Sequence, residues 1–269
     1  MKRVAVALLL LLTSNSNLHA QTPFYQGKTV RIVVGNLAGD AYDLWARIFA
    51  QHMGKYMPGN PNFIVQNMPG GGGLIAANFV YAVAKPDGLT MGAFGPSFYF
   101  DQLAGRKEVQ FDWSKFTWIG TPEQTEFILI MRTDSPYKSI EDIRKAAQPP
   151  KCGSTGTGTS GYYIPKFLDD DMGLKFNIVT GYPGGGDLDL GIERGELHCR
   201  NLTISTYFAR EPFLTWHKNG FVRPIMQTPK KRDPRVADVP TIYELMDQYK
   251  TPEASRRLAT VLLAPAIFG

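Results

Sequence analysis

The sequence predicts an α/β protein of two lobes, each a mainly parallel sheet flanked by helices, with a ligand cleft between them. Three observations carry that expectation. Short β-branched or apolar runs alternate with segments of helical periodicity, the signature of βαβ units. The alternation occurs twice along the chain. Each half also carries a glycine-rich turn between a strand and a helix, at 69–73 and at 152–161.

The first strand is TVRIVV at 29–34, followed by a loop over 35–42. Asp43 then precedes LWARIFAQHMGKYM, whose apolar spacing is helical, and Pro58-Gly59-Asn60-Pro61 ends that helix. NFIVQN at 62–67 reads as a second strand, 74–84 as a helix stopped by Lys85-Pro86-Asp87-Gly88, and 89–94 as a third strand. In the second half, 127–131 is a strand and 139–147 a helix, with Ser139 as N-cap and Asp142 in the first turn. The Gly/Ser/Thr loop at 152–161 opens a helix near Tyr162. Strands follow at 177–179, 197–203 and 221–227, a glycine turn at 182–186, and helices at 188–195 and 241–249. Crossing segments at 121–128 and 221–228 join the lobes, giving an expected division of 22–125 with 224–269 (first lobe) and 126–223 (second lobe).

Lys2 and Arg3 precede an unbroken apolar run at 4–12, and a polar stretch closes on Leu18-His19-Ala20. This is the layout of a cleavable signal peptide over 1–20, and the run is too short to span a bilayer. The mature chain is therefore expected in the periplasm. The formal charge of +5 falls to +3 without Lys2 and Arg3, a mild balance that suits anionic ligands. The one basic block, Lys230-Lys231-Arg232, lies beside Asp233 and reads as a solvated loop, so no nucleic-acid partner is expected. Cys152 and Cys199 admit two readings, a single disulfide or two buried thiols packed as small apolar residues. The thiol reading is preferred, because sequence does not show that their Cα atoms approach closely enough to bridge.

Catalytic machinery is hard to find. Beyond the leader the histidines are His52, His198 and His217, and no HExxH, GxSxG or CxxC occurs. Asp169-Asp170-Asp171 reads as a solvated helix end rather than a metal site, and Trp113, Phe116 and Trp118 as core or cleft wall. The segments 71–76 and 156–161 fit the glycine pattern of a dinucleotide site, yet no acidic residue closes the strand expected after either, and no cofactor is expected. The physical content of these loops is more general. A helix start leaves amides unpaired and partly positive, and glycines let an anion approach them. Hydroxyls of Ser154, Thr155, Thr157, Thr159 and Ser160 add donors, so the second loop suits a carboxylate.

Five segments together resemble the Bug (TctC-like) family of periplasmic substrate-binding receptors of tripartite tricarboxylate transporters. They are GKTVRIVVGNLAGDAYDLWAR, VQNMPGGGGLIAANFVYAVAKPDGLTMG, GSTGTGTSG, GYPGGGDLDLGIERGELHCR and DVPTIYEL, and the match runs from about Phe24 to the end. The resemblance implies a type II-like periplasmic binding protein, a monomer that closes on a small carboxylate and delivers it to a membrane permease, without catalysis. Carried over by motif, the ligand-binding residues are Leu37, Ala38, Gly39, Asp40, Ala41, Tyr42 and Asp43 from the first loop. The second loop supplies Ser154, Thr155, Gly156, Thr157, Gly158, Thr159 and Ser160. Gly95, Pro96, Ser97, Tyr182, Gly184 and Asp187 complete the cleft. Asp43 is expected to cap the first helix.

Two departures from the family pattern stand out. Gly39-Asp40-Ala41 replaces consecutive glycines, so Asp40 would repel an anion if it points inward, or select a ligand bearing an amine or hydroxyl. The chain also stops at Gly269, where family members continue, so the C-terminal region is expected to be truncated. A sensory binding protein for a signalling partner would use the same cleft. An exported enzyme with a nucleotide cofactor is the remaining alternative.

Overall fold

A computed structural model describes residues 22–95, 97–122 and 125–263. The expected leader, Pro96 and the last six residues lie outside the described residues. Two sheets organise the chain. In the first, β1 (Thr29–Val34) pairs in parallel with β2 (Asn62–Asn67) on one side and β3 (Thr90–Ala93) on the other. Central β1 buries Val30, Ile32 and Val34 on one face and Val33 on the other. Helix α1 (Ala41–His52) connects β1 to β2. Helix α2 (Leu74–Asn78) begins the connection to β3 and widens into a π-helical turn at Phe79–Val83, where an unbroken helix was expected. An aromatic cluster of Phe94, Phe98, Phe111, Trp113 and Phe116 packs beneath, so Trp113 and Phe116 belong to the core.

The second sheet has the order β6-β5-β7-β4-β8. Its strands are β4 (Phe127–Arg132), β5 (Lys151–Gly153), β6 (Asn177–Val179), β7 (Cys199–Thr203) and β8 (Val222–Gln227). Strand β5 pairs in parallel with β6 and β7, while β4 runs antiparallel to β7 and β8. The β4–β8 register slips between Leu129 and Ile130, opposite Pro224, whose missing N–H cannot continue the ladder. Phe127, Leu129 and Met131 face one hydrophobic core; Ile128 and Ile130 face another, by the strand's two-residue alternation.

Helices α3 (Phe98–Leu103), α4 (Ile140–Lys145), α5 (Ser160–Met172) and α6 (Gly185–Glu193) follow in chain order. They are joined by α7 (Ile204–Ala209), α8 (Phe213–Asn219), α9 (Ile242–Gln248) and α10 (Glu253–Leu262). Ser139 caps α4, and Thr241 with Glu244 forms a capping box on α9. Helices α3, α7, α8 and α10 have no counterpart in the sequence reading. The first three are too short for a periodic pattern to emerge, and α10 buries fully only Ala259.

The expected lobe division meets a different packing after residue 222. Strand β8 pairs with β4, and Ile242, Leu245, Met246 and Ala259 fill the core around α5. The 224–263 stretch therefore packs on the second sheet, and the Tyr99 hydroxyl, from the first half, donates to the Val261 carbonyl at 2.8 Å. Cys152 and Cys199 are register neighbours on β5 and β7, both fully buried and both free. They pack as small apolar residues, and burial, with Cys152 alongside, pushes the Cys199 thiol well up. No helix among the described residues is long and apolar enough to cross a membrane.

Candidate functional site

The site is built on the ends of β1, β5 and β7. Strand β1 leads through residues 35–40 into α1. Gly39 turns there with φ +86°, a conformation open to glycine. The expected cap, Asp43, lies inside α1 instead, and Asp40 occupies the N-cap position. Asp43 reaches back: Oδ2 accepts from the Gly39 amide at 2.8 Å and Arg47 Nε at 2.8 Å, and Oδ1 from Asn67 Nδ2 at 2.8 Å. Burial raises its carboxyl, but the bonds from Arg47, Gly39 and Asn67 together outweigh that and hold it below the usual range.

A depressed native pKa stabilises the fold above the unfolded value and loses that stabilisation as pH falls through the native one. Asp43→Asn is thus expected to cost about 1.5–3 kcal/mol near neutrality and to flatten the acid side of the stability curve. Urea unfolding between pH 3 and 7 checks this; parallel curves for wild type and variant would refute it.

The second loop, 154–159, enters α5. Ser154 is fully buried; its Oγ lies 2.9 Å from both the Gly156 carbonyl and Thr159 Oγ1 and donates to one of them. Thr159 Oγ1 also bonds the Gly156 carbonyl at 2.8 Å. These hydroxyls hold the loop's own shape, which leaves the amides at the start of thirteen-residue α5 directed at the space in front of it. The two halves touch across this loop. A Cβ on Gly72 would lie 2.6 Å from Thr159 Cγ2, and one on Gly156 would lie 3.0 Å from the Gly72 amide nitrogen. Thr157 Oγ1 accepts from Arg106, which also pairs with Asp101 at 3.1 Å.

A cavity of about 140 Å³ opens between the loops. Of the expected residues, Asp40, Ala41, Tyr42, Gly95, Ser97, Ser154, Thr155, Gly158, Thr159 and Ser160 line it. Gly156, Thr157 and Tyr182 line a separate opening on the far side of the Gly72–Gly156 contact, which Thr155 also borders. Leu37 and Gly184 pack on each other, since a Cβ on Gly184 would meet Leu37 Cδ1 at 2.8 Å. Ala38, Gly39, Asp43 and Asp187 do not line the cavity.

The sequence reading missed Asn36, Gly72, Phe127, Tyr163, Leu188, Arg200, Asn201, Thr203, Thr206 and Arg210. Arg200 and Arg210 matter most. Arg200 Nη1 bonds Asp189 Oδ1 and the Gly185 carbonyl, the latter at 2.8 Å. Arg210 Nη2 bonds Asp189 Oδ2 at 2.8 Å, and its Nη1 donates to the Gly39 carbonyl at 3.3 Å. Asp189 is 4% exposed; burial raises its carboxyl, and the two guanidiniums oppose the rise. Burial likewise pushes the Tyr163 hydroxyl up, so it remains a neutral hydrogen-bonding group at the cavity wall. The one signal available beforehand was that Arg200 sits in a strand otherwise made of uncharged residues.

The arrangement offers amide dipoles, hydroxyls and guanidiniums to a small anion, and its resemblance to known proteins agrees in kind. Residues 45–266 match the model of the TctC, tripartite tricarboxylate transporter family receptor. A Cupriavidus necator protein, "UPF0065 protein in gbd 5'region", is 27% identical over 231 residues, covering 84% of this chain and 67% of that protein. The chain spans 62–70% of the length of the curated relatives it matches. MatC from Rhodopseudomonas palustris, solved with bound malate, superposes with a TM-score of 0.70 at 21% identity, covering 88% of this chain and 82% of that one. R. palustris Rpa4515, solved with adipate, gives 0.68 at 21% identity over the same shares. At those identities the likeness establishes the two-lobed periplasmic-binding-protein fold. With four-fifths of its residues inside the family model, the chain belongs to the tripartite tricarboxylate transporter family of receptors.

Proposed function

We propose that this protein is a non-catalytic periplasmic receptor that captures a small organic carboxylate and presents it to the membrane permease of a tripartite transporter. One observation carries the reading: the starts of α1 and α5, from opposite halves of the chain, converge on one cavity flanked by Arg200 and Arg210. A carboxylate there receives charge-assisted hydrogen bonds away from bulk water, where they are strongest. The malate and adipate held by structural relatives are acids of this size class. Closure around the ligand is the step that would offer a changed surface to the permease.

Thermal-shift measurement against di- and tricarboxylates, aromatic acids and amino acids tests the proposal. A ligand at a hundred times its Kd adds about 2.7 kcal/mol. For a chain of this size that raises Tm by roughly 5–10 °C. No response to any acid would remove the basis for the reading.

A further inference from the structure

Asp40 is where this cavity departs most from a plain anion trap. It is 7% exposed and lines the cavity, although it follows β1 on the far half of the chain from α6. Its Oδ2 accepts from the Gly185 amide, in the first turn of nine-residue α6, at 3.2 Å. That amide, the natural partner for a second ligand carboxylate, is therefore already bonded to a carboxylate of the protein. Arg200 and Arg210 both pair with Asp189, although Arg200 Nε, also buried, has no hydrogen-bond partner among the described residues. Among the described residues, Asp40 Oδ1 receives no hydrogen bond; Arg210 Nη1 stands 3.9 Å away. The charged residues that line the cavity are Asp40, Arg200 and Arg210, and Asp189, paired with both arginines outside the lining, brings the four groups to charge balance.

One ligand carboxylate at the α5 start can be met by the amides there and by Arg200 Nε, whereas a second placed at Asp40 would face a buried carboxylate whose nearest cation, Arg210, is shared with Asp189. A protonated amine restores neutrality and supplies the donor that Oδ1 lacks. Asn201, 4% exposed on the cavity wall, points the same way: neither its Nδ2 nor its Oδ1 has a partner among the described residues. It can serve a ligand that carries both an acceptor and a donor. We infer that the ligand is a zwitterion, a small acid bearing a protonated amine, and that Asp40 is the residue that selects the amine over a second carboxylate. This rests on the receptor reading above and deepens it.

Calorimetric titration of the full chain with matched acids tests the selection. Adipate, hexanoate and 6-aminohexanoate form one set, succinate, butanoate and 4-aminobutanoate another, and the common L-amino acids with their deaminated counterparts a third. The expected result is at least tenfold tighter binding of the amine-bearing member of the set that fits. Asp40→Asn keeps an acceptor for the Gly185 amide but removes the charge, and is expected to erase that preference while improving diacid binding. A melting curve confirms that the variant is folded. Diacids binding more tightly than their amino partners in the wild type would overturn the inference and leave the receptor reading standing. So would an amine preference unchanged in Asp40→Asn. Silence from every acid would sink the receptor reading itself, and this inference with it.

Discussion

Replacing Asp189 with alanine is expected to lower the unfolding free energy by about 3–5 kcal/mol, because it strands two guanidiniums that one buried carboxylate now joins. Arg200 and Arg210 keep only 10% and 21% of their side-chain surface exposed, so water cannot replace the lost partner cheaply. Both also lie over the Phe213 ring, at 5.5 Å, which fixes their position rather than letting them swing to solvent. The corresponding fall in Tm is on the order of 10 °C. A second variant separates orphaned charge from lost packing: Asp189→Ala combined with Arg200→Met should be more stable than Asp189→Ala alone. Chemical denaturation at neutral pH decides the matter. A loss under 1 kcal/mol for the single change would mean that the guanidiniums find other partners.

The second large effect concerns closure. Gly156 has ordinary backbone angles, so a side chain strains nothing locally there. Its environment is the obstacle, with the Gly72 nitrogen, Gly71 carbonyl carbon and Gly72 Cα at 3.0, 3.1 and 3.2 Å from an added Cβ. These are backbone atoms and cannot rotate aside. Gly156→Val is therefore expected to act as a wedge between the halves. Overpacking of this kind costs about 1–3 kcal/mol, which charged to the closed state alone weakens ligand binding by roughly ten- to a hundredfold. Small-angle scattering should report a larger radius of gyration, and urea unfolding a nearly unchanged stability for each half's core. Undiminished affinity would show that the glycine loops need not touch when ligand is held.

What the sequence determined by itself was the local chemistry. The runs at 29–34, 127–131 and 221–227 form strands within a residue of where they read, because their apolar β-branched or bulky residues are the ones the sheets bury. Ser139 caps the helix it precedes, since a cap needs only the two or three residues that follow it. The glycine loops flank helix starts for the same local reason, and family motifs spread along the chain made the two-lobed architecture legible.

Tertiary structure decided everything that depends on residues far apart in sequence. It placed β8 and the helices after it on the second sheet, where they cover the face of β4 that Leu129 and Met131 present. It turned the Ser154 and Thr159 hydroxyls inward to hold their own loop, and brought Arg200 and Arg210 onto Asp189. It carried Asp40 across 145 residues of chain to the Gly185 amide. A hydrogen bond of that span leaves no periodicity in the sequence, because its geometry exists only once both sheets have packed and water has left the space between them.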